Sequence, residues 1–261
     1  MPRDLVKILS IAGSDSSAGA GIQADIKTIL SLGGYACSAI TCITAQNKLK
    51  INDSFNIKEA LVMNQIETVC SDLKFDAIKI GVVPNHKLSY KLIDFFKSYK
   101  SPVVVDPVFI SSSGYNLVDS KNFLKNQLIL AKIASIITPN IYEAEKLLGN
   151  KISNETSISD SEIRKLYKKF NTPILVKGGH LIGLYKVDTF CDDRGIVRFK
   201  NRSIETEYTH GTGCSLASAI SFYLGDKKKL NTAVGLSINY VRKVLLKSKQ
   251  KKLNGYLYHQ Y

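Results

Sequence analysis

Short apolar runs that alternate with amphipathic stretches constrain this chain more than any other feature. Residues 5–11, 36–43, 77–80, 103–108, 135–138 and 174–177 are β-prone and mostly unbroken by polar positions. A strand with one wet face alternates apolar and polar residues, whereas a strand covered on both faces reads as a continuous apolar run. Between these runs, segments such as 89–99 and 141–148 carry apolar residues at helical spacing. The pattern predicts an α/β fold with a mostly parallel sheet and helices on both faces. Later, residues 187–191 and 196–200 flank Asp192-Asp193-Arg194-Gly195, which predicts a hairpin and hence an antiparallel edge. Helical spacing returns over 215–224 and 232–247. At 261 residues the chain is long enough to bury its own core, and residues 1–261 read as one domain.

Composition removes several function classes. No apolar run approaches the roughly 18 residues of a membrane span. The start, Met1-Pro-Arg-Asp-Leu-Val-Lys, has charge but no long apolar stretch behind it, so no secretory signal is expected. Cys37, Cys42, Cys70, Cys191 and Cys214 include no C-x-x-C pair, which argues against a zinc or dithiol site and predicts reduced thiols in a cytoplasm. His86, His180, His210 and His259 are scattered. The net charge of +14 raises the question of nucleic acid, yet Lys supplies all but six of the 36 basic residues. Readers of bases and phosphates favour Arg forks. Residues 227–261 hold nine basic residues and no acidic one, which reads as solvated helix ends. Neither a nucleic-acid nor a membrane partner is expected.

The chemistry lies in four clusters, each following an apolar run or the hairpin. The first run leads into Ala12-Gly13-Ser14-Asp15 and then Gly19-Ala20-Gly21-Ile22-Gln23-Ala24-Asp25. A glycine loop between strand and helix brings backbone N–H groups to a ligand at the carboxyl end of the sheet. The stretch matches G-x-G-x-x-A, but residues 43–47 lack the carboxylate that a dinucleotide ribose needs about 20 positions on. A nicotinamide-dependent dehydrogenase is therefore disfavoured, and no P-loop motif occurs. Asp25 falls three residues after Ile22 and four before Ile29, within the apolar stripe of its helix. It is either a structural acid bonded to the glycine loop or a carboxylate that faces a ligand.

The second cluster is Thr209-His210-Gly211-Thr212-Gly213-Cys214. Its glycines let N–H groups converge at a helix N-terminus, which either caps the helix or forms the anion hole that phosphoryl transfer requires. Cys214, in the first turn, is expected to have a depressed pKa. Third, Asn140 and Glu143 are spaced as a helix cap with its reciprocal acid, or as holders of a hydrated Mg²⁺. Fourth, Lys177 precedes Gly178-Gly179-His180, where it would meet a phosphate or sit at the surface.

With Ala45-Gln46-Asn47, Lys79-Ile80-Gly81, Val105-Asp106-Pro107-Val108 and Ile137-Thr138-Pro139-Asn140, these blocks occur in an order that resembles the ribokinase-like small-molecule kinases. Within that group the chain is similar to the hydroxymethylpyrimidine/phosphomethylpyrimidine kinases of thiamine biosynthesis. The resemblance implies a ribokinase-like three-layer αβα sandwich, ATP and Mg²⁺ as cofactors, and a cytoplasmic homodimer. It implies successive phosphorylation of 4-amino-5-hydroxymethyl-2-methylpyrimidine and its monophosphate. On the same footing Gly13, Ala20, Asp25, Gln46 and Val82 would bind the pyrimidine, with Asp25 and Gln46 on its amino edge. Gly211, Thr212 and Gly213 would form the anion hole beside a catalytic Cys214 that takes or guides the substrate proton. Asn140, Lys177 and Thr209 would contact the nucleotide, and Asp106 and Glu143 the metal, through water. A pyridoxal or pyridoxine kinase of the same fold is the nearest alternative. Four departures stand out: Ala18 for Gly, Tyr142 for Pro, Ser112 for Lys, and a tail, Leu253-Asn254-Gly255-Tyr256-Leu257-Tyr258, without the usual Gly-rich, Pro-containing ending.

Overall fold

Successive residues of a strand point to opposite faces of a sheet, and in the central strands of this protein both faces are buried. The computed structural model describes residues 4–111, 114–152, 157–179, 183–251 and 254–260. Ser112, His180 and Leu253 lie outside the described residues. The strands are β1 (Lys7–Asp15), β2 (Tyr35–Gln46), β3 (Ile51–Asn56), β4 (Ala77–Ile80), β5 (Val103–Val105), β6 (Ile136–Ile137), β7 (Ile174–Val176), β8 (Tyr185–Asp192) and β9 (Gly195–Arg202). The helices are α1 (Gly21–Ser31), α2 (Glu59–Asp72), α3 (His86–Phe96), α4 (Ser120–Leu130), α5 (Ile141–Leu148), α6 (Asp160–Phe170), α7 (Thr212–Gly225) and α8 (Leu230–Lys251).

The strands form one sheet in the order β3-β2-β1-β4-β5-β6-β7-β8-β9. Pairing is parallel from β2 through β7 and antiparallel at both edges, β2 with β3 and β7-β8-β9. Leu9, Ile11, Ile78, Ile80, Val103, Val105, Ile137, Ile174 and Val176 enter one core with α2 through α6. Their neighbours Val104, Ile136 and Leu175 enter a second core with α7 and α8, and Ile8 and Ala77 meet Ile29 of α1. The result is an αβα sandwich, as the apolar runs predicted.

The differences are local and have simple causes. β3 is an edge strand whose only buried residue is Ile51, so it carries no apolar run to read. β5 stops at Val105, short of Pro107, which has no N–H to continue the ladder. The expected hairpin is present, with Asp193 and Arg194 at its turn and Asp192 paired with Gly195.

Two polar residues interrupt the apolar strands on the α1/α7 face. Ser10 of β1 and Lys79 of β4 are cross-strand partners, and both reach Asp25 of α1. Lys79 and Asp25 are fully buried, with Nζ 2.9 Å from Oδ2. Ser10 Oγ donates to the same oxygen at 2.5 Å, and Ser218 Oγ of α7 donates to Oδ1 at 2.8 Å. Four elements are thus joined through one carboxylate. Such a pair contributes little when intact, but removal of one member strands a charge in the core. Lys79→Met should therefore lower unfolding stability by about 3–5 kcal/mol. Addition of Asp25→Leu should recover most of that loss, because no buried charge remains. Urea midpoints of the single and double variants test this, and a double variant no more stable than the single would refute it.

Candidate active site

In open α/β sheets ligands bind at the carboxyl ends of the strands. There a cavity of about 660 Å³ opens along the strand ends. Gly13, Ala20, Gln46, Val82, Asp106, Asn140, Glu143, Lys177, Thr209, Gly211, Thr212, Gly213 and Cys214 all line it. Residues far apart in sequence are collected because they lie at or just beyond the carboxyl ends of strands or at the start of a helix, Gly13 and Gln46 in the last residues of β1 and β2.

Asp25 is the exception. It has no place on the cavity wall and its carboxylate is occupied by Lys79, Ser10 and Ser218. This corrects the expectation of a ligand-facing acid. The apolar stripe that drew attention to Asp25 turns it into the protein interior. The cavity instead receives Lys79, whose ammonium burial pushes down but Asp25 more than restores, holding it above its usual range.

Helix α7 follows its N-cap Gly211, φ +88°, and has no side-chain cap. The first-turn N–H groups of a helix have no intrahelical acceptor and carry the positive end of its dipole. A Cβ on Gly211 would collide with the carbonyl oxygen of Gly19, so the two glycine loops meet backbone to backbone. Thr212 Oγ1 donates to the Thr209 carbonyl at 2.9 Å and closes the turn. Lys177 Nζ lies 3.2 Å from where a Cβ of Gly213 would sit, which brings a cation to the mouth of the loop.

Lys177 also gathers the acids. Its Nζ is 2.8 Å from Asp106 Oδ1 and 3.9 Å from Glu143 Oε2. Burial pushes the Lys177 ammonium down, but Asp106 and Glu143 outweigh it and hold the group above its ordinary value. Glu143 completes a capping box with Asn140, accepting from the Asn140 N–H at 2.7 Å while Asn140 Oδ1 accepts from the Glu143 N–H at 2.8 Å. Burial, with Asp106 nearby, pushes the Glu143 carboxyl up to about 7 against the pull of Lys177.

Cys214 is partly buried at the start of α7. Burial pushes its thiol up to about 11; the Lys79 ammonium is the strongest opposing influence, helped by a Gly21 N–H, while the Asp25 and Asp106 charges add to the push. The depressed pKa expected from its place in the first turn is thereby overturned. Desolvation is the largest influence, and with the pKa near 11 the neutral thiol is the favoured form at pH 7.

Other features were not read from the sequence. On the β2 side, Thr44 Oγ1 lies 3.0 Å from Gln46 Oε1 and orients that carboxamide. Toward β9 and α8, the cavity ends in Leu216, Ile238, Val241 and Leu245, an apolar slot contributed by two helices. Ala18, which stands where a Gly is usual, has φ +58°, a left-handed conformation that Gly adopts freely. One signal was available: Lys79 is a charge inside an otherwise apolar strand.

Comparison with known proteins gives a consistent picture. A model of the family described as phosphomethylpyrimidine kinase matches residues 15–257. The thiamine biosynthesis bifunctional protein ThiED of Geobacter sulfurreducens is 38% identical over 237 residues, which is 90% of this chain and 48% of that protein. The chain thus spans about half the length of that relative. The hydroxymethylpyrimidine/phosphomethylpyrimidine kinase of Rhizobium meliloti is 37% identical over 235 residues, covering 89% of this chain and 88% of the relative. Among solved structures, phosphomethylpyrimidine kinase from Clostridium difficile 630 superposes with a TM-score of 0.76 at 36% identity, over 91% of this chain and 98% of that one. The pyridoxal kinase from Staphylococcus aureus in complex with AMP-PCP and pyridoxal superposes with a TM-score of 0.80 at 27% identity, over 93% and 88% of the two chains.

A neutral Cys214 has a measurable consequence, since only thiolates alkylate quickly. Peptide mapping after brief exposure of the folded protein to iodoacetamide at pH 7.5 should find Cys214 unmodified, and modified once urea is added. Rapid labelling in the folded state would contradict the neutral assignment.

Proposed function

The chain belongs to the phosphomethylpyrimidine kinase family, and from that premise we propose that it transfers the γ-phosphoryl group of ATP to 4-amino-5-hydroxymethyl-2-methylpyrimidine and then to the resulting monophosphate. The observation that carries this reading is a single cavity with a polar, amide-bearing pocket at one end, an apolar slot at the other, and an uncapped helix start between them.

Gln46, with its Oε1 held near Thr44, turns its amide to the pyrimidine edge, while Val82 and Gly13 line the ring pocket. The apolar slot of Leu216, Ile238, Val241 and Leu245 takes the adenine. The phosphates then lie over Gly211, Thr212 and Gly213, with Thr209, Asn140 and Lys177 beside them. Amides fixed in this way stabilise charge on the transferred group without reorganising during the reaction. The transition state of phosphoryl transfer is loose, so in-line placement and charge supply most of the acceleration. Little proton transfer is needed early, and the neutral Cys214 thiol acts by holding the hydroxymethyl group rather than by taking its proton.

Asp106 and Glu143 fit Mg²⁺. Both are carboxylates on the cavity wall, and Mg²⁺ prefers hard oxygen ligands, few of them from protein, with water and phosphate supplying the rest. When bound there, the ion would neutralise phosphate charge. A homodimer belongs to the same reading. It is supported by Ile43 and Phe55, 49% and 67% exposed and paired across the β2–β3 edge. A cytoplasmic location is supported by the five free cysteines. Among the described residues no helix is long and apolar enough to cross a membrane.

The test is incubation with Mg-ATP and the hydroxymethylpyrimidine, with pyridoxal in parallel, following ADP and phosphorylated products. Monophosphate followed by diphosphate is expected. Product from pyridoxal alone would move the assignment to the pyridoxal kinases, and ADP formation in neither would overturn the reading. Gln46→Leu should raise KM for the pyrimidine about 10-fold, the equivalent of one lost hydrogen bond, with kcat much less affected.

A further inference from the structure

The mechanism above leaves the His210 imidazole unused. His210 stands between Thr209 and the anion loop, is 5% exposed, and lines the same cavity. Its Nε2 donates to Asp15 Oδ2 across 3.0 Å. Asp15, 3% exposed, also accepts the N–H groups of Gly19 at 3.2 Å and Ala20 at 2.9 Å on that oxygen. Burial pushes the Asp15 carboxyl up, but the hydrogen bonds from His210 and Ser17 prevail and hold it below its usual range. One imidazole–carboxylate contact therefore ties the loop after β1 to the loop before α7. The tie lies where the Gly211 and Gly19 backbones touch, and a Cβ on Gly19 would collide with the imidazole.

The unusual tail supports this contact from behind. Tyr256 pairs with His210 as an isolated bridge, and their rings meet edge to face with centroids 5.9 Å apart. The Tyr256 hydroxyl accepts the Lys48 N–H at 3.1 Å, which anchors the tail to the β2–β3 connection.

We propose that His210 is a positioning residue for phosphoryl transfer, latching through Asp15 the substrate-side glycine loop to the anion loop, with Tyr256 of the C-terminal segment bracing it. The latch sets the separation between the bound alcohol and the amides that receive the phosphoryl charge. This rests on the kinase reading above.

His210→Ala should lower kcat about 100-fold, as expected for misplacement of reacting groups, with KM for ATP and pyrimidine changed little. His210→Gln, which can still donate to Asp15, should restore kcat to within about tenfold of wild type, a rescue that loss of packing alone would not allow. Tyr256→Ala should lower kcat in the same direction by less. Hydrogen exchange is measured on the same proteins. In His210→Ala it should rise at the amides of Gly19, Ala20, Gly213 and Cys214, and remain at the wild-type level in His210→Gln. Unchanged kcat in His210→Ala, or equal loss in the Ala and Gln variants, would overturn the proposal. If wild type turns over no pyrimidine, the kinase reading fails, and unchanged loop exchange in His210→Ala then refutes the latch independently.

Discussion

A lysine that crosses from β4 to a carboxylate on α1 governs the character of the whole site. Lys79 and Asp25 are both fully buried, and each charge is tolerable there because the other is present. Ser10 and Ser218 complete the bonding of the carboxylate, so β1, β4, α1 and α7 are held in one mutual arrangement. That arrangement places the start of α7, and with it Gly211 through Cys214, over the ends of the central strands. It also leaves a positive charge in the cavity floor without any contribution from the ligand.

A second lysine organises the upper part of the cavity in the same manner. Lys177 follows β7 and holds Asp106 from the end of β5 and Glu143 from the first turn of α5. Cations and anions alternate along the strand ends, so the cavity is charged locally yet nearly balanced as a whole. Cys214 lies within this field, and its burial raises the thiol pKa against the pull of the Lys79 ammonium. The large net charge of the chain has no part in this, and nothing in the structure explains the excess of surface lysine.

Much of the architecture was legible because burial on two faces leaves a simple mark. β4, with residues 77–80, and α5, with residues 141–148, occupy the residues that their patterns indicated. β3 was not legible, since an edge strand with one buried residue has no pattern to display. Helix capping at Asn140 and Glu143 was legible from spacing alone, because a cap is a contact between residues three apart. The adenine-side slot was not, because Leu216, Ile238, Val241 and Leu245 look like ordinary core positions of two helices.

The sequence by itself determined the three-layer class, the position of each glycine loop and the residue types available at the strand ends. All of these depend on local periodicity and on backbone freedom at particular residues. Only the tertiary structure decided what those residues face. Asp25 and Cys214 both looked like participants from their helix positions. One turned inward to a lysine 54 residues away, and the other lost its expected acidity to burial, with the Asp25 and Asp106 charges adding to it. Electrostatic character is set by neighbours in space and by exclusion of water, and neither is written into the order of residues along the chain.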